Sequence, residues 1–194
     1  MAYNAGTVDI GKRFDAKYKQ LPNSFGSEPF PLVKKAAGLV DGRDALELGV
    51  GNGRNAIYLL KQGFCVTGVD ASKEGLRILS EHLGKDVNAE LVNSDVLTFT
   101  TTKKYDLILA VGLLHFLKDD KAELLVERMK EWTRSRGINV LAVRMTQNPK
   151  NDLPHVFAPG ELRAMYEDES WEILDYSEKE LPEKKIASIL ARKK

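Results

Sequence analysis

A glycine-rich turn flanked by two acidic residues is the part of this sequence best suited to bind a ligand. The run ALELGVGNGRN spans residues 45–55 and places glycines at alternate positions, directly after an apolar stretch that predicts a buried strand. Glycines at this spacing let the backbone turn sharply and let a ligand lie against the main chain. Asp70 ends the next apolar run, twenty-one residues after Gly49. A strand, a glycine turn, a helix and a terminal carboxylate together predict a nucleoside-binding βαβ unit.

The charge of Glu47 indicates which nucleoside the turn would accept. Glu47 is predicted at the end of the first strand, where a carboxylate in a partly dry crevice would repel a pyrophosphate. A dinucleotide fingerprint would also need a third glycine at position 54, where this chain has Arg54. S-adenosylmethionine avoids both conflicts, because its ammonium suits Glu47, its ribose diol suits Asp70, and it carries no phosphate. The alternative is a glycine turn that binds nothing.

The residues of this turn resemble motif I of the class I S-adenosylmethionine-dependent methyltransferases, with Asp70 at their second acidic position. The longer run GNGRNxxYL over residues 51–59 resembles the tellurite-resistance methyltransferases and their thiol-methylating relatives, and so does FAxGELRxxY over residues 157–166. The similarity covers residues 44–192. It implies S-adenosyl-L-methionine as the cofactor, S-adenosyl-L-homocysteine as the product and a small molecule as the methyl acceptor.

Length, composition and charge limit the class of the protein. A chain of 194 residues suits a single domain, and 43% hydrophobic with 29% charged residues is typical of a globular protein. The 29 basic and 28 acidic residues nearly cancel, so the charge gives no sign of a nucleic-acid partner. No apolar run reaches the ~20 residues needed to span a bilayer, and the N-terminus lacks a signal-peptide core. We therefore expect a cytoplasmic protein with no membrane or nucleic-acid partner; the oligomeric state stays unknown.

The single cysteine, Cys65, excludes a disulfide within the chain and cannot by itself build a zinc site. Because it lies in an apolar run, we expect an inert thiol in the core. No metal site is predicted.

Apolar runs alternate with helical patterns from residue 44 onward, which predicts an α/β fold with a mainly parallel, doubly wound sheet. The seven predicted strands cover residues 44–48, 64–70, 89–93, 105–111, 138–145, 171–176 and 185–191. About eight residues containing Pro182 separate the last two strands, which is too short for a helical crossover, so one strand near the C-terminus should be antiparallel. A seven-stranded Rossmann-like sheet is also what the resemblance implies.

The chain before the sheet is predicted as a flap, residues 1–31, on a core of residues 32–194. A short helix over residues 8–20 carries Asp15, Lys17 and Tyr18. Its aromatic residues could simply pack on the sheet. The other interpretation, which the resemblance implies, is a lid that closes over the cofactor.

The predicted cofactor site lies beyond the carboxyl ends of the strands, at the point where the strand order reverses. Asp95 matches the position that accepts the adenine amino group in the family, and the alternative is an aspartate that caps a turn. Small residues after the fourth strand leave room for the methionine portion. The predicted cofactor-binding residues are Glu47, Gly49, Val50, Gly51, Gly53, Asn55, Asp70, Ala71, Ser94, Asp95, Val96, Ala110 and Val111.

The methyl acceptor is expected to be a soft nucleophile such as a thiol, a selenide or a tellurium species. Methyl transfer needs orientation and desolvation more than a strong base, and polarisable sulfur or selenium reacts without a dedicated proton acceptor. An oxygen or nitrogen acceptor, a catalytically silent cofactor-binding module and a nicotinamide dehydrogenase are the alternatives. The candidate substrate contacts are Tyr18, His115, Arg144 and His155. Arg144 either holds an anionic group of the substrate or pairs with an acid of the flap.

Two sequence patterns that this chain lacks limit the class of methyl acceptor further. Residues 109–116 lack the Asn/Asp-Pro-Pro-aromatic motif that many amino-group methyltransferases of the family carry, which disfavours nucleic-acid bases and protein amides. The resemblance implies histidine and arginine between the last two strands of tellurite methyltransferases, whereas residues 177–184 contain neither. This difference argues against tellurite or another oxyanion.

Overall fold

Seven strands form one sheet in the computed structural model, which describes residues 9–84, 88–147 and 153–194. The start of the predicted first helix at Val8 and the loop residues 148–152 lie outside these ranges. The strands are β1 (Asp44–Leu48), β2 (Cys65–Asp70), β3 (Ala89–Asn93), β4 (Tyr105–Val111), β5 (Thr133–Arg144), β6 (Trp171–Leu181) and β7 (Lys184–Lys193). The helices are α1 (Ile10–Gln20), α2 (Pro31–Ala37), α3 (Arg54–Lys61), α4 (Lys73–Leu83), α5 (Asp119–Trp132) and α6 (Glu161–Ala164), with a 3₁₀ turn at Leu114–Phe116.

The strand order is β3-β2-β1-β4-β5-β7-β6, which confirms the predicted sheet. Strands β1 to β5 pair in parallel, and β7 runs antiparallel to both of its neighbours, β5 and β6. The chain proceeds outward from β1 to β3 and then returns to place β4 on the other side of β1. The strand order therefore reverses between β1 and β4, so that their carboxyl ends diverge around a crevice.

Helices cover both faces of the sheet. The central strands carry apolar side chains on both faces, and each face must be buried. In β4, Leu107 and Leu109 pack with residues of α2, α3 and α4, whereas Ile108 and Ala110 pack with α5 and α6. Local sequence marks the start of helix α4, because the Ser72 side chain accepts a hydrogen bond from the Gly75 N–H at 3.0 Å and so caps the helix. Its C-terminus is capped by Gly84 at φ +69°.

The largest differences from the predicted strand boundaries are at the start of β5 and in the hairpin of β6 and β7. Strand β5 begins at Thr133, directly after α5, and the register with β4 shifts over residues 134–137, where Arg136 has φ +65°. Strands β6 and β7 form a long hairpin that turns at residues 182–183, so the predicted connection over residues 177–184 is wrong. Most of that segment continues the ladder as an edge strand, where polar side chains are tolerated because one side faces water.

The prediction of a core thiol was also wrong, because Cys65 is exposed. It is the first residue of β2, and the buried part of that strand begins at Val66. Within the described ranges, no helix is both long and apolar enough to cross a membrane.

Candidate functional site

The glycine loop of residues 49–53 joins β1 to α3 at the point where the strand order reverses. Gly49, Gly51 and Gly53 have φ values of +70°, +55° and +83°, which L side chains rarely adopt. The N–H groups of Gly49 and Val50 donate to the Val69 carbonyl at 2.8 and 3.1 Å, so the loop is fastened to β2. The Gly53 N–H donates in turn to the Val50 carbonyl at 3.0 Å, so the loop is held in a tight turn.

Glu47 lies beneath this loop and is only 3% exposed. Its Oε1 accepts a hydrogen bond from the Asn55 side-chain amide at 2.7 Å, whereas its Oε2 is buried with no hydrogen-bond partner among the described residues. Burial raises the pKa of Glu47 to about 8, against the lowering influence of Asn55, of the nearby Arg54 charge and of the Ala56 backbone N–H. An unpaired carboxylate oxygen in such a place is costly. The arrangement therefore fits a ligand that brings a cation.

Asp70 stands at the tip of β2 on the other side of the loop. Its Oδ2 accepts from the Gly51 N–H and its Oδ1 from the Ser72 N–H, both at 2.8 Å. Burial raises the pKa of this carboxyl, and the two backbone hydrogen bonds oppose that shift. Each carboxylate oxygen keeps a second lone pair. Two acceptors side by side suit the vicinal hydroxyls of a ribose.

Helix α1 lies over this crevice with Tyr18 pointing at the glycine loop. The side chain is 4% exposed, and a Cβ added to Gly51 would lie 2.2 Å from its hydroxyl oxygen. Burial and the charges of Asp70 and Glu47 raise the pKa of Tyr18, so its hydroxyl stays protonated. The backbone of α1 also meets Ala71, whose carbonyl would be 2.7 Å from a Cβ on Gly11.

The helix is fastened to α4 by Asp15, which the sequence placed on the predicted lid but not among the cofactor or substrate contacts. Its Oδ1 accepts from the Ser72 hydroxyl at 2.7 Å and from the Glu74 N–H at 2.9 Å. Although partial burial opposes it, these hydrogen bonds and nearby lysines lower the pKa of Asp15. The positive end of the helix dipole also stabilises a carboxylate at the N-terminus of α4.

Three polar side chains of the glycine loop and α3 hold residues 21–30, which we call the strap. Asn52 Nδ2 donates to the Pro22 carbonyl at 3.1 Å, and Arg54 Nη1 donates to the Phe25 carbonyl at 3.1 Å. Asn55 Oδ1 accepts from the Phe30 N–H at 2.8 Å. Asn52 and Arg54 were missed as site residues. The available signal was a run of polar side chains inside an otherwise tight turn, facing a Pro- and Gly-rich segment that needs hydrogen-bond partners.

The third strand tip carries Ser94, Asp95 and Val96. Asp95 is exposed, and its Oδ1 accepts from the Leu97 N–H at 2.8 Å, which is the turn-capping arrangement considered as the alternative. The Ser94 N–H donates to the Asp70 carbonyl at 3.1 Å, and Val96 is buried. The tip thus lies beside Asp70, and an adenine contact of Asp95 stays a prediction.

The end of β4 closes the opposite side of the crevice. Ala110 is buried and Val111 is half-buried. Gly112 has φ +78°, and a Cβ added there would meet no heavy atom within 4 Å. This open space adjoins the 3₁₀ turn that carries His115. Phe116 of the same turn makes an edge contact with Phe14 of α1, with ring centroids 5.2 Å apart.

His115 and Arg144 are in contact, and His155 lies close to them. The Arg144 N–H donates to His115 Nδ1 at 3.4 Å. Burial, together with the charges of Arg144, Lys184 and His155, lowers the pKa of His115 to about 3. With Nδ1 accepting, the neutral ring carries its proton on Nε2. His115 is therefore a hydrogen-bond donor at Nε2 rather than a proton acceptor.

Arg144 and His155 are held by other groups. Arg144 Nη2 donates to the Glu183 carbonyl in the β6–β7 turn at 3.2 Å, so the expected ion pair with an acid of the flap is not formed within residues 9–31. Its buried Nε has no hydrogen-bond partner in the described part of the chain. His155 stacks on Phe157 with ring centroids 3.9 Å apart, and its Nε2 lies 2.6 Å from Glu161 Oε1.

The site thus brings Glu47, Asp70 and Tyr18 together around the glycine loop, with His115 and Arg144 beyond the end of β4. The described residues contain no group of three or more His, Cys, Asp or Glu placed to hold a metal ion. An open cleft of about 410 Å³ between α5 and α6 shares no residue with the glycine loop or the strap.

Comparison with known proteins gives relatives over most of the chain. A family model described as tellurite resistance protein TehB matches residues 13–186. A Haemophilus influenzae protein described as probable S-adenosyl-L-methionine-dependent methyltransferase TehB is 32% identical over 177 residues, which is 84% of this chain and 61% of that protein. The chain therefore spans about three fifths of the length of the curated relatives it matches first.

Solved structures agree on the fold. The crystal structure of TehB from Haemophilus influenzae superposes with a TM-score of 0.78 at 27% identity, covering 93% of this chain and 67% of that one. The Burkholderia thailandensis 1,6-didemethyltoxoflavin-N1-methyltransferase, solved with 1,6-didemethyltoxoflavin and S-adenosylhomocysteine, gives 0.73 at 22% identity and covers 95% and 87% of the two chains. At 22% identity, the similarity to the Burkholderia thailandensis enzyme supports the fold alone.

Proposed function

This chain belongs to the TehB family, and on that premise we propose that it is a methyltransferase that uses S-adenosylmethionine to methylate a small molecule. The observation that carries the proposal is the buried Glu47 Oε2 without a hydrogen-bond partner among the described residues. A buried anion of this kind is stable only when it is paired or protonated. Its position at the carboxyl end of β1 is where a cofactor ammonium would meet it.

The chain's own residues divide the recognition of this cofactor among three strand tips. Glu47 would accept the ammonium, and the free lone pairs of Asp70 would accept the ribose hydroxyls. Asp95 and Val96 would face the adenine, while Ala110, Val111 and the open space at Gly112 would leave room for the methionine portion. When bound, this cofactor supplies a methyl group on a positively charged sulfur.

We further propose that α1 and the strap act as the lid of the site. Tyr18 and Phe14 of α1 reach from the glycine loop to Phe116, which spans the crevice between β1 and β4. A cover of this kind excludes water and strengthens every electrostatic interaction beneath it.

A soft nucleophile is the acceptor that we favour, because it reacts without a proton acceptor. His115 Nδ1 already accepts a hydrogen bond, and His155 Nε2 lies against Glu161. His155 Nδ1 is buried without a hydrogen-bond partner among the described residues, 3.5 Å from Asp119 Oδ1, so it is the proton acceptor that a hydroxyl substrate would have to reach. A thiol, selenide or tellurium nucleophile needs none. An oxygen or nitrogen acceptor is the second candidate: a hydroxyl would have to give up its proton before or during the transfer, whereas a neutral amine attacks through its own lone pair.

The proposal is tested in two steps. Isothermal titration calorimetry with S-adenosylhomocysteine asks whether the cofactor binds, with Glu47→Gln as the control that keeps the size of the side chain but removes its charge. A methyl-transfer assay then compares thiols, selenite, tellurite and small phenols as acceptors. Binding to the wild type together with transfer to a thiol or selenium compound is expected.

Three results would contradict parts of the proposal. Binding without transfer to any acceptor would favour a silent cofactor-binding module. Transfer to phenols alone would make oxygen the acceptor. Stabilisation by NAD but not by S-adenosylhomocysteine would overturn the choice of cofactor.

A further inference from the structure

Asn55 makes hydrogen bonds in two opposite directions with one amide group. Its Nδ2 donates to Glu47 Oε1 at 2.7 Å, and its Oδ1 accepts from the Phe30 N–H at 2.8 Å. The side chain lies in the first turn of α3 and is only 2% exposed. A single buried amide therefore connects the carboxylate beneath the glycine loop to the last residue of the strap.

The other two links between the loop and the strap are of a different kind. Asn52 and Arg54 donate to the carbonyls of Pro22 and Phe25, and neither side chain is hydrogen-bonded to Glu47. Among the described residues, Asn55 is therefore the one that bonds both to the strap and to Glu47. Removing Asn52 would loosen the strap and leave the partners of the carboxylate in place, whereas Arg54 also acts on Glu47 through its charge.

We propose that Asn55 is a positioning residue that couples recognition of a cofactor ammonium at Glu47 to closure of the strap at Phe30. The inference rests on the proposed function, because it needs a cationic ligand at Glu47. The ligand class it concerns is an adenosyl compound with an amino-acid ammonium group.

The coupling follows from the geometry of the amide. A cation on Oε2 fixes the Glu47 carboxylate in its charged form and in one orientation, so that Oε1 holds the Asn55 Nδ2. The amide is planar, and an anchored nitrogen fixes the direction of its oxygen toward the Phe30 N–H. By linkage, a strap that stays in place must in turn favour the ammonium ligand by the same free energy.

The first variant replaces the amide hydrogen bond to Glu47 with a pair of carboxyl groups and keeps the link to the strap. Asn55→Asp retains an oxygen for the Phe30 N–H but has no amide hydrogen for Glu47. Affinity is measured for S-adenosylhomocysteine, which carries the ammonium, and for 5′-methylthioadenosine, which lacks the whole amino-acid part. We expect affinity for S-adenosylhomocysteine to fall at least about tenfold, which lies within the usual range of coupling energies. Affinity for 5′-methylthioadenosine should stay within about twofold.

The second pair of variants cuts the link to the strap and keeps the link to Glu47. Phe30 has φ −61°, so Phe30→Pro suits the backbone while removing the N–H. Phe30→Ala loses the ring and keeps the N–H, which makes it the matched control. Relative to Phe30→Ala, Phe30→Pro should bind S-adenosylhomocysteine about fivefold more weakly and 5′-methylthioadenosine equally well.

Hydrogen exchange provides a readout that a merely structural role would not change. In the wild type and in Phe30→Ala, S-adenosylhomocysteine should slow amide exchange over residues 21–29, and 5′-methylthioadenosine should slow it much less. In Phe30→Pro and in Asn55→Asp the two ligands should protect the strap equally.

The outcomes separate this inference from the proposed function. If both ligands lose the same affinity in Asn55→Asp, and Phe30→Pro behaves like Phe30→Ala, the coupling is refuted while the cofactor assignment stands. If the wild type binds neither ligand, both are refuted. Should Asn55→Asp fail to fold, the Phe30 pair decides the question by itself.

Discussion

Asp70 Oδ2 accepts a hydrogen bond of 2.8 Å from the Gly51 N–H, which joins the tip of β2 to the middle of the glycine loop. The same carboxylate orders the start of α4 through the Ser72 N–H. One side chain therefore holds the loop in shape and keeps lone pairs for a ligand. Substitution of Asp70 should therefore alter both the shape of the glycine loop and the affinity for the nucleoside.

Replacing Asp70 with alanine should weaken S-adenosylhomocysteine binding by about 1–3 kcal/mol, because two ribose hydroxyls and two backbone N–H groups lose their acceptor. Calorimetric titration measures the change, and thermal unfolding establishes that the variant is folded. Asp168→Ala is the comparison, since its exposed side chain caps a turn outside the glycine loop and the strand tips, where its Oδ1 accepts from the Ser170 N–H. Unchanged affinity in Asp70→Ala would place the nucleoside elsewhere.

Gly51→Ala should destabilise the protein for two reasons that can be separated. An added Cβ would lie 2.2 Å from the Tyr18 hydroxyl oxygen, and the backbone has φ +55°. The backbone strain alone costs about 1–2 kcal/mol. Tyr18→Phe removes the hydroxyl, so Gly51→Ala should cost less in that background and retain the strain together with the milder contact of 3.3 Å to the ring Cζ.

The four proteins of this cycle are compared by urea unfolding. An equal cost of Gly51→Ala in both backgrounds would mean that Tyr18 does not press on the loop.

Glu47→Gln should stabilise the ligand-free protein at pH 8. Burial raises the pKa of Glu47 from its ordinary value of 4.5 to about 8. Between these two values the unfolded chain is ionised and the folded chain protonated, so wild-type stability falls as pH rises, by at most about 1.4 kcal/mol per pH unit. Glutamine does not titrate, and the difference between the two proteins should vanish near pH 4.5. Urea unfolding of the two ligand-free proteins between pH 4.5 and pH 8 measures this difference in unfolding free energy. A difference that does not change with pH would contradict the raised pKa of Glu47.

His115 should remain neutral well below the usual range of histidine. Its pKa is lowered to about 3 by burial and by neighbouring cations. Since the unfolded chain binds this proton near pH 6.5, His115 favours unfolding as pH falls from 6.5 toward 3, and it has no such effect above that range. An NMR titration of the ring should show no protonation above pH 5. A midpoint for His115 near 6.5, the ordinary value for histidine, would restore it as a candidate base.

Several elements were predictable because their signals are local. The alternation of apolar runs and helical patterns indicated all seven strands, and Ser72 and Gly84 marked both ends of α4. Glu47 and Asp70 were found because each follows a recognisable strand within thirty residues of the other. Patterns of this length report on neighbouring residues, and the parallel sheet then brings the strand ends together.

Other features depend on residues that are distant in the sequence. Asn55 and Phe30 are 25 residues apart, and Arg144 reaches Glu183 across 39, so no local pattern indicates either pair. The exposure of Cys65 also depends on tertiary packing, because the buried part of β2 begins only at Val66 although the residues around Cys65 are apolar.

The sequence by itself therefore determined the class of fold and the two carboxylates of the crevice, because periodicity and turn chemistry are encoded over short stretches. The tertiary structure alone decided that one oxygen of Glu47 is left without a partner in the described chain, and that the side chains of the glycine loop hold the strap. Burial and hydrogen-bond satisfaction are properties of the folded surroundings. A carboxylate becomes a cation site only when those surroundings leave it dry and unpaired.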